Sequence, residues 1–205
     1  MDLPNKKAAC ILFAIAVPES MWVYFNMAGH VERFWRWTGF FDLRRAGWLG
    51  WILALLCALL YIWVAARLPS VRENLVRLSF LKLLAVLVAF AAGFCEEAIF
   101  RKWLMDALQH RELPVAVQVV TSAFLFGATH SVWGLFRGSW RTAAGAMVAT
   151  GVLGLALAVV YVASQRVLAP CVVAHFLINL FIEPGLVLAA VRGEMGHGHA
   201  QRRVA

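Results

Sequence analysis

Two carboxylates and a guanidinium occur in the run Glu96-Glu97-Ala98-Ile99-Phe100-Arg101, at the end of an apolar stretch that reads as membrane-spanning. Each such group costs roughly 2.5–3.5 kcal/mol near a bilayer centre, so three together belong in an internal, partly wet cavity rather than against lipid. The bland alternative is a helix that ends at the interface with its charges among headgroups. Interfacial charges are usually basic, however, and not paired acids. Helical phase then separates the two glutamates. Glu97 and Arg101 stack on one face in the acid-before-base order, which predicts an internal ion pair. Glu96 projects about 100° away and does not share that partner. The run therefore divides into a lock, Glu97 with Arg101, and a free carboxylate, Glu96, suited to general acid or base work.

Later apolar segments carry further polar residues. His130 ends the stretch Phe126-Gly127-Ala128-Thr129-His130, and His175 and Asn179 stand four apart in Ala174-His175-Phe176-Leu177-Ile178-Asn179. Taken singly, each has a structural explanation, because intramembrane His and Asn often only bond a neighbouring helix. Taken with Glu96, they give three helices that send reactive side chains into one interior. Hydrolysis of an acyl bond needs such a set: a base for water, an acid for the leaving amine, and donors for the oxyanion. On this reading Glu96 is the base, His130 its orienting or proton-transferring partner, and His175 with Asn179 the oxyanion donors. Glu96, His130 and His175 could also hold zinc, since two imidazoles and a carboxylate are a catalytic ligand set. No His-Glu-x-x-His helix supports that metal, so the expected cofactor is none. No serine elbow or phosphate loop competes, and Ser122 and Ser131 lack nucleophile context.

The elements that must position these residues are transmembrane helices. With 62% hydrophobic residues, 15% charged and nine Trp in 205, the composition is that of an integral membrane protein. A window of about 19 residues gives six spans, near 8–27, 46–66, 79–103, 114–136, 142–163 and 170–191. The expected fold is an all-α polytopic bundle forming one domain over 1–205. The first span holds Pro18, Glu19 and Ser20, and could instead be two half-segments or a re-entrant piece. Its basic flank lacks a following small-residue cleavage site, which predicts a retained helix. Segment 30–45 interleaves Phe34, Trp35, Trp37, Phe40 and Phe41 with four arginines, and reads as an interfacial helix whose aromatics anchor it at the membrane surface.

The net charge of +8 could suggest nucleic acid, but the basic residues are scattered through short connections between spans, so nucleic acid is not an expected partner. With the N-terminus in the cytoplasm, the inner set is Lys6, Lys7, Arg67, Arg72, Arg77, Arg137, Arg141, Arg192, Arg202 and Arg203, ten against eight outside. That asymmetry only leans towards this orientation. Cys10, Cys57, Cys95 and Cys171 show no CxxC spacing and argue against a disulfide framework or zinc ribbon. Cys95, beside Glu96, reads as inert packing rather than a nucleophile. His197 and His199 in the glycine-spaced tail lack further ligands for a metal. Pro184 disfavours helical geometry at Glu183, so a helix end is expected there although Glu183 continues the His175, Asn179 stripe. Glu19 could line a polar groove or mark a broken helix. Gly145, Gly151 and Gly154 read as close-packing positions.

At these residues the chain resembles the CPBP or Abi family of intramembrane proteases, which includes the CAAX prenyl endopeptidase. The resemblance rests on Glu-Glu-x-x-x-Arg at 96–101, Phe-x-x-x-His at 126–130 and His-x-x-x-Asn at 175–179, in that order, and covers about residues 79–182. It implies an α-helical membrane enzyme with Glu96, His130, His175 and Asn179 as catalytic residues, supported by Glu97, Arg101 and Phe126. The family has been described both as metalloproteases and as glutamate-dependent proteases without a catalytic metal, and the latter suits the geometry argued above. Lys102 departs from the glycine of many relatives. The expected substrate is a membrane-associated or lipid-modified, for instance prenylated, protein or peptide cut near its C-terminus, with the bilayer as surrounding partner and the cell membrane as location. A non-catalytic immunity or scaffold protein that binds a peptide in the same cavity is the competing class. A transporter is disfavoured by six spans without an inverted repeat.

Overall fold

The computed structural model describes residues 2–134 and 139–194; Arg137, His197, His199, Arg202 and Arg203 lie outside the described residues. Those described residues contain helices and no strand, and six helical stretches are long and apolar enough to cross a membrane. In chain order the elements are α1 (Leu3–Met27), α2 (Val31–Thr38), a 3-10 turn (Leu43–Ala46), α3 (Gly47–Ala65) and the short α4 (Pro69–Asn74). They continue with α5 (Phe80–Glu97), a π-helical segment (Ala98–Met105), α6 (Asp106–His110), α7 (Val115–His130), a second 3-10 turn (Ser131–Gly134), α8 (Trp140–Ala163) and α9 (Ala169–Arg192).

Local chemistry starts these helices where the chain supplies a cap. Asp2 accepts from the Asn5 amide at the head of α1, and Ser79 Oγ accepts from the Lys82 amide at the head of α5. Ser139 does the same for Thr142 in α8. Two prolines behave differently from the sequence expectation. Helix α1 runs uninterrupted through Pro18, neither split nor re-entrant, and α9 continues through Pro184 to Arg192, so Glu183 is not a helix end. In α9 a side chain from α5, Lys82, meets the carbonyl freed four residues before Pro184, as membrane helices allow. The third span also reaches further than 103, since the π segment and α6 carry it to His110.

The arrangement is small-inside and large-outside. Ala85, Ala89, Ala92 and Gly93 of α5 are buried, whereas Leu83, Leu87 and Phe90 of the same helix face outward. Helix α3 repeats the pattern with Ala54 and Ala58 inside and Leu55, Leu59 and Trp63 outside. Large apolar side chains on the outer face match lipid, and small ones within let backbones approach closely. In their most apolar 18-residue stretches, Phe80–His110 and Ala169–Arg192 have 56% of residues buried against 17–33% in the other spans, which makes α5 and α9 the centre of the bundle. Helices α1 and α3 flank that pair, and α7 packs along α8.

Two satellites brace the centre. The 30–45 segment is α2 followed by the 3-10 turn, and its aromatics do two jobs. Trp37 and Phe41 stay outside, while the rings of Phe34, Trp35 and Phe40 lie 6.2, 5.5 and 5.1 Å from that of Phe94 on α5. At the far end of the π segment, Asp106 accepts from Tyr161 (3.0 Å) and Arg166 (2.8 Å) and pairs with Lys102 (3.0 Å). Arg166 donates in turn to Gln118 of α7. The residue that departs from the family pattern, Lys102, is thus part of a clasp that ties α6, α7 and the α8–α9 connection together.

Candidate active site

Glu96 and Glu97 are the last two residues of α5, and the helix widens immediately after them into the π-helical segment that carries Arg101. Such widening is uncommon and often accompanies functional sites. The Phe100 carbonyl inside it is met by the Ser122 hydroxyl of α7 at 3.0 Å, a structural task for a serine with no nucleophile context. Arg101 Nε lies 3.0 Å from Glu97 Oε2, and both side chains are fully buried. A buried charge is tolerable only with a close partner, so the pair holds itself in place.

Glu97 has a second partner that helical phase alone could not reveal. Its Oε1 lies 2.8 Å from Nδ1 of His175 on α9. A carboxylate at that distance fixes a proton on Nδ1 and turns Nε2 of the ring towards Glu96. There Nε2 stands 3.9 Å from Glu96 Oε2. His130 is oriented by the opposite kind of contact. Its Nδ1 donates to the carbonyl of Phe126, one turn back, at 2.8 Å. With that proton committed, the neutral ring offers the lone pair of Nε2, which faces Glu96 Oε2 at 3.7 Å. Neither imidazole bonds Glu96 directly, and at these distances one water can touch both sides.

Phe126 is the floor of the arrangement. Its ring is fully buried and lies 4.7 Å from the His130 ring, 5.8 Å from the His175 ring and 5.2 Å from that of Phe100. The Arg101 guanidinium sits 4.6 Å over it. Room for so large a side chain comes from Gly154 of α8, where an added Cβ would approach Phe126 to 3.0 Å. Gly127 allows α7 to meet α8, since a Cβ there would come within 2.5 Å of the Met147 carbonyl. Gly151 lies in the same contact, whereas Gly145 faces open space and is not a packing position.

Asn179, half-buried, is one turn beyond His175 on α9, and Glu183 is one turn beyond Asn179. Glu19 of α1 and Glu183 both lie within electrostatic reach of Glu96, and each has a buried oxygen without a hydrogen-bond partner. The His175, Asn179 stripe pointed to Glu183; the proline after it pointed away, and the stripe was the better guide. Cys95 is buried in the main apolar core beside the site. Among the described residues, no group of three or more histidine, cysteine, aspartate or glutamate side chains is disposed to hold a metal ion. Nε2 of both His130 and His175 faces Glu96 Oε2, and the bond from His175 Nδ1 to Glu97 leaves its Nε2 free.

Chemically, the site brings together a carboxylate with no direct bond, an imidazole with a free lone pair and a second imidazole backed by a carboxylate. The sequence model of one family, type II CAAX prenyl endopeptidase Rce1-like, matches residues 78–181. No curated protein and no solved structure matches the chain.

Proposed function

The chain belongs to the type II CAAX prenyl endopeptidase Rce1-like family, a family of intramembrane proteases, and from that premise we propose that Glu96 activates the water with which it cuts a peptide bond. The substrate is a membrane-associated protein or peptide with a lipid-modified, prenylated C-terminal segment, presented at the cell membrane. The family match is the observation that carries the reading, and the 3.7 Å approach of His130 to Glu96 supports the assignment of roles.

In the proposed reaction one water contacts Glu96 Oε2 and His130 Nε2. As its oxygen attacks the scissile carbonyl carbon, its proton passes to Glu96, and the carbonyl oxygen becomes an oxyanion. Asn179 donates its amide N–H to that oxygen. Donation from His175 uses Nε2 and needs both ring nitrogens protonated, a state whose charge Glu97 offsets across 2.8 Å. The proton held by Glu96, relayed by His130, then moves to the amide nitrogen as the C–N bond breaks. Phe126, Glu97 and Arg101 touch no reacting atom; they hold the two imidazoles in their orientations.

Purified protein incubated with a prenylated peptide, and with the same peptide lacking the lipid, tests this reading by mass analysis of the products. Cleavage near the modified cysteine, faster for the prenylated peptide and unchanged after treatment with a strong chelator, is the expected result. Loss of activity with chelator that added zinc restores would overturn the metal-free mechanism. No cleavage of either peptide would leave the peptide-binding scaffold ahead.

A further inference from the structure

The carbonyl that Pro184 leaves without a partner is met by a lysine from another helix. A proline inside a helix has no N–H to give, and its ring presses on the carbonyl four residues back, which here is that of Leu180. Lys82, in the first turn of α5, places Nζ 2.9 Å from the Leu180 carbonyl and 3.3 Å from that of Phe181. The third contact is the Leu75 carbonyl, at the end of α4, again at 2.9 Å. An ammonium carries three donors, so all three are committed to backbone oxygens. Among the described residues Lys82 forms no ion pair with a carboxylate. A charged side chain at the head of an apolar span is thus used as a backbone donor, and it joins α4, α5 and α9 at the point where α9 lacks its own hydrogen bond.

That point is next to the site. Leu180 follows Asn179 directly, and His175 is little more than one turn earlier on the same helix. A bend of α9 at its broken bond would change the angle at which both side chains face Glu96. We infer that Lys82 is a positioning residue, the donor that Pro184 cannot be, and that it sets the direction in which α9 presents His175 and Asn179. The catalytic meaning of this inference rests on the peptidase reading above, whereas the coupling of Lys82 to Pro184 does not.

A double-mutant cycle tests both parts, using wild-type protein, Lys82→Met, Pro184→Ala and the double variant, purified in one detergent. Kinetics on the prenylated peptide and melting temperatures are both recorded. Lys82→Met is expected to lower kcat about tenfold or more while KM stays within about twofold, because orientation rather than binding is lost. Pro184→Ala restores an N–H to the Leu180 carbonyl, so the double variant should regain kcat to within about threefold of Pro184→Ala alone. Lys82→Arg, which keeps donors on a cationic side chain, should retain most of the activity. The melting temperature should fall further when Lys82→Met is made with proline at 184 than with alanine. A double variant as slow as Lys82→Met, or a Lys82→Met protein with wild-type kcat, would overturn the positioning role. Should Lys82→Met fail to fold, folding of the double variant supports the pairing and its failure refutes it. If even the wild type cleaves nothing, the peptidase reading is lost, and the melting cycle alone decides the coupling: additive shifts refute it, non-additive shifts support it.

Discussion

Glu97 serves two partners at once, Arg101 at 3.0 Å within its own helical run and His175 at 2.8 Å across to α9. One carboxylate therefore balances a buried guanidinium and fixes the proton on an imidazole. Glu97→Gln removes the charge from both contacts and leaves Arg101 buried without a counter-ion. The expected cost is about 3–5 kcal/mol of stability, measurable by denaturant titration in mixed micelles. A control at Glu32, whose pair with Arg36 is exposed, should move stability little, by about 0–1 kcal/mol. The internal ion pair of Glu97 with Arg101 follows from their four-residue spacing, and that much was legible in the chain. The bond to His175 was not, because it depends on how two helices 78 positions apart are rotated about their axes. The tautomer of His130 is a similar case: the carbonyl of residue 126 is always one turn behind residue 130, but only the side-chain rotamer brings Nδ1 onto it.

At the scale of elements, close contact between α7 and α8 is what lets Phe126 sit beneath both imidazoles. Gly127→Ala pushes a methyl group against the Met147 backbone and should cost about 1–3 kcal/mol, whereas Gly145→Ala meets nothing and should be neutral or slightly stabilising. Comparative melting of the two variants checks this, and equal effects would contradict the packing described. The six apolar spans, and the order of the polar residues along them, could be read from hydropathy and spacing because bilayer thickness fixes helix length. What could not be read were departures from regular helix. Nothing in Ala98–Met105 announces a π-helical turn, and Pro184 argued for a helix end although α9 continues to Arg192, with the Leu180 carbonyl met by Lys82 from 98 positions away. Pro18 gave the same false signal in α1. At both prolines a local rule gave way to a solvent that penalises open backbone, and in α9 a lysine bonds the freed carbonyl.

At the scale of the molecule, the outward face is apolar along α3, α5 and α8, and the expensive groups are collected inside. Such a chain should stay with the membrane pellet through high-salt and alkaline washes and leave it only with detergent. Release by salt would contradict the six-span reading, since salt removes only proteins held by charge. Glu19 of α1, Glu96 of α5 and Glu183 of α9 bring carboxylates from three helices within electrostatic reach of one another, and His130 of α7 faces Glu96. The bundle gathers Glu96, His130 and His175 at one site from three helices. The most direct test is turnover of a prenylated peptide by Glu96→Gln against wild type, both shown to melt alike in the same detergent. A loss of about 10²–10⁴-fold in kcat with the fold intact is the expected result; a Glu96→Gln protein that cleaves at the wild-type rate would contradict the role proposed for Glu96.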